Sequence, residues 1–374
     1  MSEKIPKGWK WVKLGEVVTL QRGYDLPKSK MKKGNIPVVG SNGIIGYHNK
    51  ATTKAPGITI GRSGNIGNAY LHKSDFWAHN TTLYVKDFKG NDVIFLFYLF
   101  KNIDFNQLNA GSAVPTLNRN HIYPIEVKIP IKIEEQKAIA EVLSSIDDKI
   151  DLLHRQNKTL EEMAMKLFRK WFIEDAKEDW EECILDDLCL KIASGGTPST
   201  KIKEYYDGRI NWYSTKELND CFLFESEKKI TLQGLENSSA KLFPKGTIVM
   251  AIYAAPTVGR LGILANEASF NQAACGLIPN TEVCSKEFLY LYLKNERENL
   301  NTMATGSAQQ NLNVNKIKTY PTIKVPKNIM IRFNKIVIPI FHKIENNSYQ
   351  IQTLEKLRDT LLPKLMSGEV RIMK

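Results

Sequence analysis

Two stretches almost devoid of glycine, one central and one terminal, carry the same helical periodicity and constrain the fold more than any other feature of the sequence. In the central stretch Ile139, Leu143, Ile146, Ile150, Leu153, Leu160, Ala164, Leu167 and Trp171 step by alternating fours and threes, with Asn157 in the one gap. The terminal stretch gives Val337, Ile340, Ile344, Ile351, Leu354, Leu361 and Leu365, interrupted by Asn347. Taken singly, these are amphipathic helices that each pack on their own domain. An antiparallel pairing that sets Asn157 opposite Asn347, however, also pairs Leu153 with Ile351, Leu160 with Ile344, Ala164 with Ile340, Leu167 with Val337 and Ile150 with Leu354. A buried asparagine costs stability but fixes register when it meets another. The pattern therefore predicts an intramolecular antiparallel coiled coil. Arg358 falls opposite Ile146, where the seam is expected to fray or shift toward Leu357.

The flanking sequence is written twice. Trp9 to Glu16 resembles Trp180 to Asp187, Gly111-Ser112-Ala113 recurs as Gly306-Ser307-Ala308, and Leu117-Asn118 recurs as Leu312-Asn313. Tyr123-Pro124 returns as Tyr320-Pro321, two residues out of that register, and Leu160-Glu161 as Leu354-Glu355. A shared order at a nearly constant offset is the mark of an internal repeat. Residues 1–132 and 176–326 are irregular, with short β-rich runs such as Gly57 to Ile60 and Thr247 to Ile252 between glycine and asparagine clusters. Residues 133–175 and 327–374 are the helices. The expected fold class is α/β in the α+β sense: two similar mixed domains separated by two long helices. The apolar run Val93 to Phe100 reads as a buried helix, being far too short to span a membrane.

The chain has 374 residues and a net charge of +12, with the basic excess concentrated in residues 1–132. That asymmetry suggests a polyanionic partner for the first module. The second lacks such an excess, partly because seven acids lie between Asp175 and Asp187, a stretch suited to facing a protein. Five cysteines without a Cys-x-x-Cys pair point to a reduced cytoplasmic compartment and no structural zinc. Phosphate-loop, dinucleotide-binding, His-Glu-x-x-His and nucleophile-elbow motifs are missing from the sequence, as is the Pro-Pro pair of DNA methyltransferases. Glu126-Val127-Lys128 matches a nuclease tail, without the upstream carboxylate after proline. No catalytic or metal-binding residue is predicted.

The candidate contacts with nucleic acid cluster around glycine. Gly40, Gly43 and Gly46 surround Ser41, Asn42 and, further on, Lys50; Gly61, Gly64 and Gly67 surround Arg62, Ser63 and Asn65. Glycine lets a backbone take positive φ and approach another surface. Arginine and asparagine match the guanine and adenine edges. Ordinary hairpin turns explain the same glycines. Arg22 beside Tyr24 and the basic run Lys28 to Lys33 lie in the same module; such a run is usually a solvated face, and next to glycine-rich loops it could equally contact phosphates. In the second module the candidates are Thr197, Lys201, Trp212, Ser214, Lys216, Tyr253 and Arg260.

With these segments in hand, the layout resembles a known family, the DNA-specificity (S) subunits of type I restriction-modification systems. The resemblance covers the whole chain. It rests on Gly8-Trp9 to Leu14-Gly15-Glu16, Val39 to Tyr47, Gly57 to Gly64, Ser194-Gly195-Gly196-Thr197-Pro198, Asn211-Trp212 and the helix start Glu134 to Ala140, in this order on a duplicated frame. It implies two target-recognition domains with pseudo-twofold symmetry, each reading half of a bipartite, asymmetric site in double-stranded DNA. A helix from Glu134 to Ile173 would span roughly 60 Å at about 1.5 Å per residue, enough to hold two domains over groove segments about one turn apart. The resemblance further implies docking of two modification (methyltransferase) subunits and of restriction (translocase and nuclease) subunits, which use S-adenosylmethionine, ATP and Mg; this chain would bind no cofactor itself and need no membrane. The competing readings are the specificity module of a single-chain or type II-like enzyme, a stand-alone nuclease or methyltransferase, and an adaptor that binds protein only.

Overall fold

A computed structural model describes residues 5–105, 116–253, 258–304 and 312–372. The repeated triplets Gly111 to Ala113 and Gly306 to Ala308 lie outside the described residues. The chain forms two compact units, Met1–Ile150 with Thr353–Lys374, and Asp151–Gln352.

The first unit contains β1 (Trp9–Lys13), α1 (Leu14–Val17), β2 (Thr19–Arg22), β3 (Ile36–Gly40), β4 (Gly43–His48), β5 (Gly57–Gly61), β6 (Ala69–His72), β7 (Trp77–Ala78), β8 (Thr82–Asp87), α2 (Val93–Lys101), α3 (Arg119–Ile122) and β9 (Glu126–Pro130). Then α4 (Ile133–Arg169) begins. The strands form sheets of order β1-β9, β2-β8-β5-β6 and β4-β3-β7. The second unit contains β10 (Glu181–Ile184), β11 (Cys189–Ser194), β12 (Tyr206–Tyr213), β13 (Cys221–Leu223), β14 (Lys228–Ile230), α5 (Leu232–Glu236), β15 (Ile248–Ala251), β16 (Leu261–Leu264), β17 (Ser269–Phe270), β18 (Ala274–Pro279), α6 (Lys286–Asn295), α7 (Arg297–Ala304), α8 (Val314–Lys318) and β19 (Pro321–Lys324). The last helix is α9 (Lys327–Ser367).

Its sheets run β10-β19, β11-β18-β15-β16-β13 and β14-β12-β17, the same three with β13 added. The repeat holds at residue level. Trp9 to Lys13 pair antiparallel with Pro130 to Glu126, and Glu181 to Ile184 pair with Lys324 to Pro321. Leu117 and Leu312 are both buried. The asparagine that follows each caps a short helix: Asn118 accepts from Asn120 N–H and Asn313 from Lys316 N–H. The apolar run is indeed a buried helix, α2, capped by Asp92 as α6 is by Ser285.

Both long helices form, and the asparagines meet. Asn347 is fully buried and its Nδ2 donates to Asn157 Oδ1 at 2.9 Å, while Asn157 Nδ2 donates to Ser348 Oγ at 3.1 Å. The predicted fray at Arg358 does not occur. Arg358 Nη1 donates to Asp147 Oδ1 at 2.9 Å, and Asp147 also accepts the Tyr98 hydroxyl at 2.8 Å, so a shielded ion pair occupies the seam. Leu357, 45% exposed, takes no part. A second difference lies at the end of α4. The spacing favours Leu167 and Trp171, which are only half-buried, whereas Phe168 and Phe172 are buried against Phe288 and Phe333. There α4 packs on a domain instead of a single partner helix, and the chain continues into a π-helical turn, Lys170–Glu174.

One half-buried titratable group makes the first unit sensitive to acid. His72 Nε2 hydrogen-bonds Thr59 Oγ1 at 2.8 Å with its ring 4.2 Å from that of Phe76, and burial pushes its pKa down from 6.5 to about 4. The unfolded chain then binds a proton that the folded chain refuses between those two values. Stability is full above pH 6.5 and falls as the pH drops toward 4, by at most about 3 kcal/mol. Melting curves across that range should show the slope, and His72→Phe should flatten it.

Candidate nucleic-acid interface

The glycines of the two triplets in the first module lie at hairpin connections, apart from Gly46 within β4, and the connections converge. Gly40 pairs with Gly43 (φ +93°) around a two-residue turn, Ser41-Asn42, at the tip of β3 and β4. Gly61 opens the β5–β6 connection, which folds so tightly that a Cβ there would lie 1.9 Å from Asn65 O. Thr81 joins the two. Its Oγ1 accepts from Ser41 N–H at 3.2 Å and shares a hydrogen bond with His79 Nδ1 at 3.1 Å, while its carbonyl accepts from Arg62 N–H at 2.8 Å and Ser63 N–H at 3.3 Å. On the other side of β8, Gly23 N–H donates to Thr82 O, and Tyr24 N–H donates to Ala78 O. Segments 22–24, 41–42, 62–65 and 79–81 thus meet at one end of the β2-β8-β5-β6 sheet.

The side chains gathered there are basic and amide-rich. Burial and the neighbouring Arg22 guanidinium both hold the Arg62 pKa below its ordinary value. Among the described residues neither has a carboxylate partner. Arg22, Tyr24, Asn42 and Asn65 are exposed, Arg62 and Ser63 half-buried, and Ser41 buried. Lys50 is exposed but stands past the other end of β4 from Asn42, beside the basic run, since Lys32 N–H donates to His48 Nδ1. Asn80, which the sequence reading missed, donates to Asp25 Oδ1 at 2.7 Å.

The second module repeats this backbone bond for bond. Gly195 N–H donates to Ala274 O and Gly196 N–H to Phe270 O; Ile252 and Tyr253 N–H both donate to Ala273 O. Leu312 N–H donates to Ile252 O as Leu117 N–H does to Arg62 O. Ser194 and Gly196 therefore stand where the first module has Arg22 and Tyr24, and Ile252, Tyr253 and Ala273 where it has Arg62, Ser63 and Thr81. The Asp25–Asn80 pair returns as a hydrogen bond between Thr197 and Gln272. A shared frame thus presents different side chains.

One sequence candidate in this module holds the frame, and three others have side-chain partners within it. Trp212 is buried and its Nε1 donates to Gly196 O at 2.9 Å, so it supports the loop instead of facing solvent. Gly195 and Gly196 are required there, because a Cβ on either would lie 2.1 Å from a backbone oxygen. Ser214 donates to Glu217 from both N and Oγ, Lys216 pairs with Glu227, and Arg260 Nη1 donates to Asn219 Oδ1 at 3.3 Å. Lys201 is exposed and Tyr253 half-buried. The segments His79 to Thr81 and Asn271 to Ala273 left one legible signal, an amide residue at matching places in the repeat.

Among the described residues no cluster of His, Cys, Asp and Glu is arranged to hold a metal ion, and no helix is long and apolar enough to cross a membrane. Residues 6–162 and 177–358 match the family described as type I restriction modification DNA specificity domain. The type I restriction enzyme MjaIX specificity subunit of Methanocaldococcus jannaschii is 26% identical over 421 residues, covering 99% of this chain and 95% of its own. The HindI specificity subunit of Haemophilus influenzae is 26% identical over 338 residues, 70% of this chain and 72% of its own. Among solved structures, the type I restriction-modification system S subunit from M. genitalium has a TM-score of 0.66 at 18% identity, spanning 100% of this chain and 99% of that one, a likeness of fold.

Proposed function

The chain belongs to the family of type I restriction-modification DNA specificity proteins, and on that premise we propose that it reads a bipartite, asymmetric site in double-stranded DNA and carries no catalytic group itself. The observation that supports this reading is the pair of equivalent loop clusters with one backbone and two sets of side chains. An identical frame docks each module on a duplex in the same manner. The exchange of Arg22 and Arg62 for Ser194 and Ile252 makes the two half-sites differ in sequence. Arg22, Tyr24, Asn42, Arg62, Ser63 and Asn65 are the proposed contacts of the first module, and Thr197, Lys201, Tyr253 and Arg260 those of the second, with Lys50 and Lys216 on phosphate.

The helices α4 and α9, of 37 and 41 residues, are the proposed spacer between half-sites and the docking surface for two modification subunits. Those subunits supply S-adenosylmethionine and the methyl-transfer chemistry, and restriction subunits the ATP- and Mg-dependent steps, in the cytoplasm.

Incubating the purified chain with DNA and S-adenosylmethionine, with and without a modification subunit, tests the division of labour: methylation is expected only with the partner. Methylation by the chain alone would replace this reading with a stand-alone enzyme. Binding should be sequence-selective with a steep salt dependence, whereas a protein-only adaptor shows neither. Arg62→Ala should relax one half-site by about 1–3 kcal/mol, read by competition among duplexes altered at single positions. An equal loss on every sequence would reassign Arg62 to phosphate.

A further inference from the structure

The hairpin of β3 and β4 exposes apolar surface that hydrogen bonding to base edges does not use. Ile44 is 57% exposed and Tyr47 55%. Residues three apart on a regular strand point to opposite faces. Here the pairing shifts between Val38 and Val39: Ile44 lies opposite Val39, Tyr47 opposite Pro37, and Ile45 is the extra residue of a bulge. Cross-strand partners share a face, so the bulge brings Ile44 and Tyr47 to the same side. The stem is fixed below them, with Val39 buried against Phe76, Ala78 and Tyr84. This is a stiff projection with an aliphatic end.

Its surroundings are cationic. Met31, from the Lys28 to Lys33 run, lies against Gly46, where a Cβ would meet its sulfur at 2.7 Å, and Lys32 N–H donates to His48 Nδ1 at 2.9 Å. The run is thereby held along β4. No acidic residue occurs between Asp25 and Asp75. Apolar surface set among cations matches one chemistry closely: a stack of apolar bases between rows of phosphates. The tip also continues the proposed interface, because Ser41 at the turn is bonded to Thr81.

We infer that Ile44 enters the DNA base stack as an apolar wedge, with Tyr47 against the adjoining nucleotide, within the half-site read by the first module. The inference rests on the DNA-reading function proposed above. The second module has no counterpart, since residues 214–227, including β13, separate β12 from β14 in place of the two-residue turn. The wedge therefore marks one half-site only.

The test uses the full chain on a duplex bearing its recognition sequence, with 2-aminopurine placed at each step of the Arg62-dependent half-site in turn. Fluorescence should rise several-fold at one step, signalling unstacking. Ile44→Leu should keep the rise and Ile44→Ala should abolish it, with protein melting unchanged because the residue is exposed. Selective binding with no bright step, or an equal rise with Ile44→Ala, would overturn the wedge and leave DNA reading intact; the hairpin would then cover a protein partner. Absence of selective binding on any sequence would instead remove the DNA-reading function.

Discussion

Phe333→Ala is expected to destabilise the second unit by about 3–5 kcal/mol, the cost of truncating a fully buried aromatic ring whose neighbours cannot close over the gap. Phe333 on α9 sits with its ring centroid 4.7 Å from Phe172, 5.9 Å from Trp171 and 6.4 Å from Phe288. These neighbours come from the π-helical turn that follows α4 and from α6, so the ring holds three elements at once. Each is a large, rigid side chain in contact with others of its kind, which leaves little freedom to repack. Leu357→Ala on the same helix is the matched control; at 45% exposure it should change stability by no more than about 0.5 kcal/mol. Urea or thermal denaturation of the full chain measures both. Equal effects would mean that α9 is held to the module by something other than this cluster.

The helix pairing was legible because an asparagine in an apolar seam is rare and two of them at matching positions leave one register. What periodicity could not carry was the end of the seam. A seven-residue pattern assumes the same partner throughout, and α4 exchanges helix for domain before Phe168. Arg358 shows the same limit from the other side. A charge in a seam reads as a flaw until Asp147 and Tyr98, distant in sequence, are seen to surround it. At the loop clusters glycine marked where the backbone turns, which located Ser41, Arg62 and Gly196. It gave no hint of Thr81, because the bonds that residue makes through its hydroxyl and its carbonyl exist only once β8 lies between β2 and β5. Trp212 illustrates the opposite error. It stands among the candidate contacts as an aromatic beside Asn211, but its indole N–H donates to the Gly196 carbonyl, and that bond draws it inward.

Asp220→Ala should be comparably severe, about 3–5 kcal/mol, because it strands charges that have left bulk water. Asp220 sits at φ +57°, a conformation that aspartate and asparagine tolerate and alanine does not. Its carboxylate accepts from Leu261 N–H at 3.1 Å and Arg297 Nη1 at 3.0 Å, with Lys294 Nζ at 3.6 Å. Lys294 and the Tyr290 hydroxyl in turn donate to Glu161 on α4 at 2.6 Å. Burial alone would raise the Asp220 pKa, but Arg297 and Lys294 outweigh it and hold the carboxyl below its ordinary value of 3.8. A depressed carboxylate contributes stability that is present above its unfolded pKa and lost as pH falls through the folded one. The gap between wild type and variant, wide at pH 7, should therefore narrow below about pH 4. Asp220→Asn keeps the backbone conformation and the bond to Leu261 and removes only the charge, so it should cost less than alanine at neutral pH. It also reaches the proposed interface, because the adjacent Asn219 accepts from Arg260. With the fold retained, Asp220→Asn should weaken recognition of the half-site assigned to the second module and leave the Arg62-dependent half unchanged. Competition binding on duplexes altered in one half at a time separates the two. A loss spread equally over both halves would mean that the ion network serves stability alone.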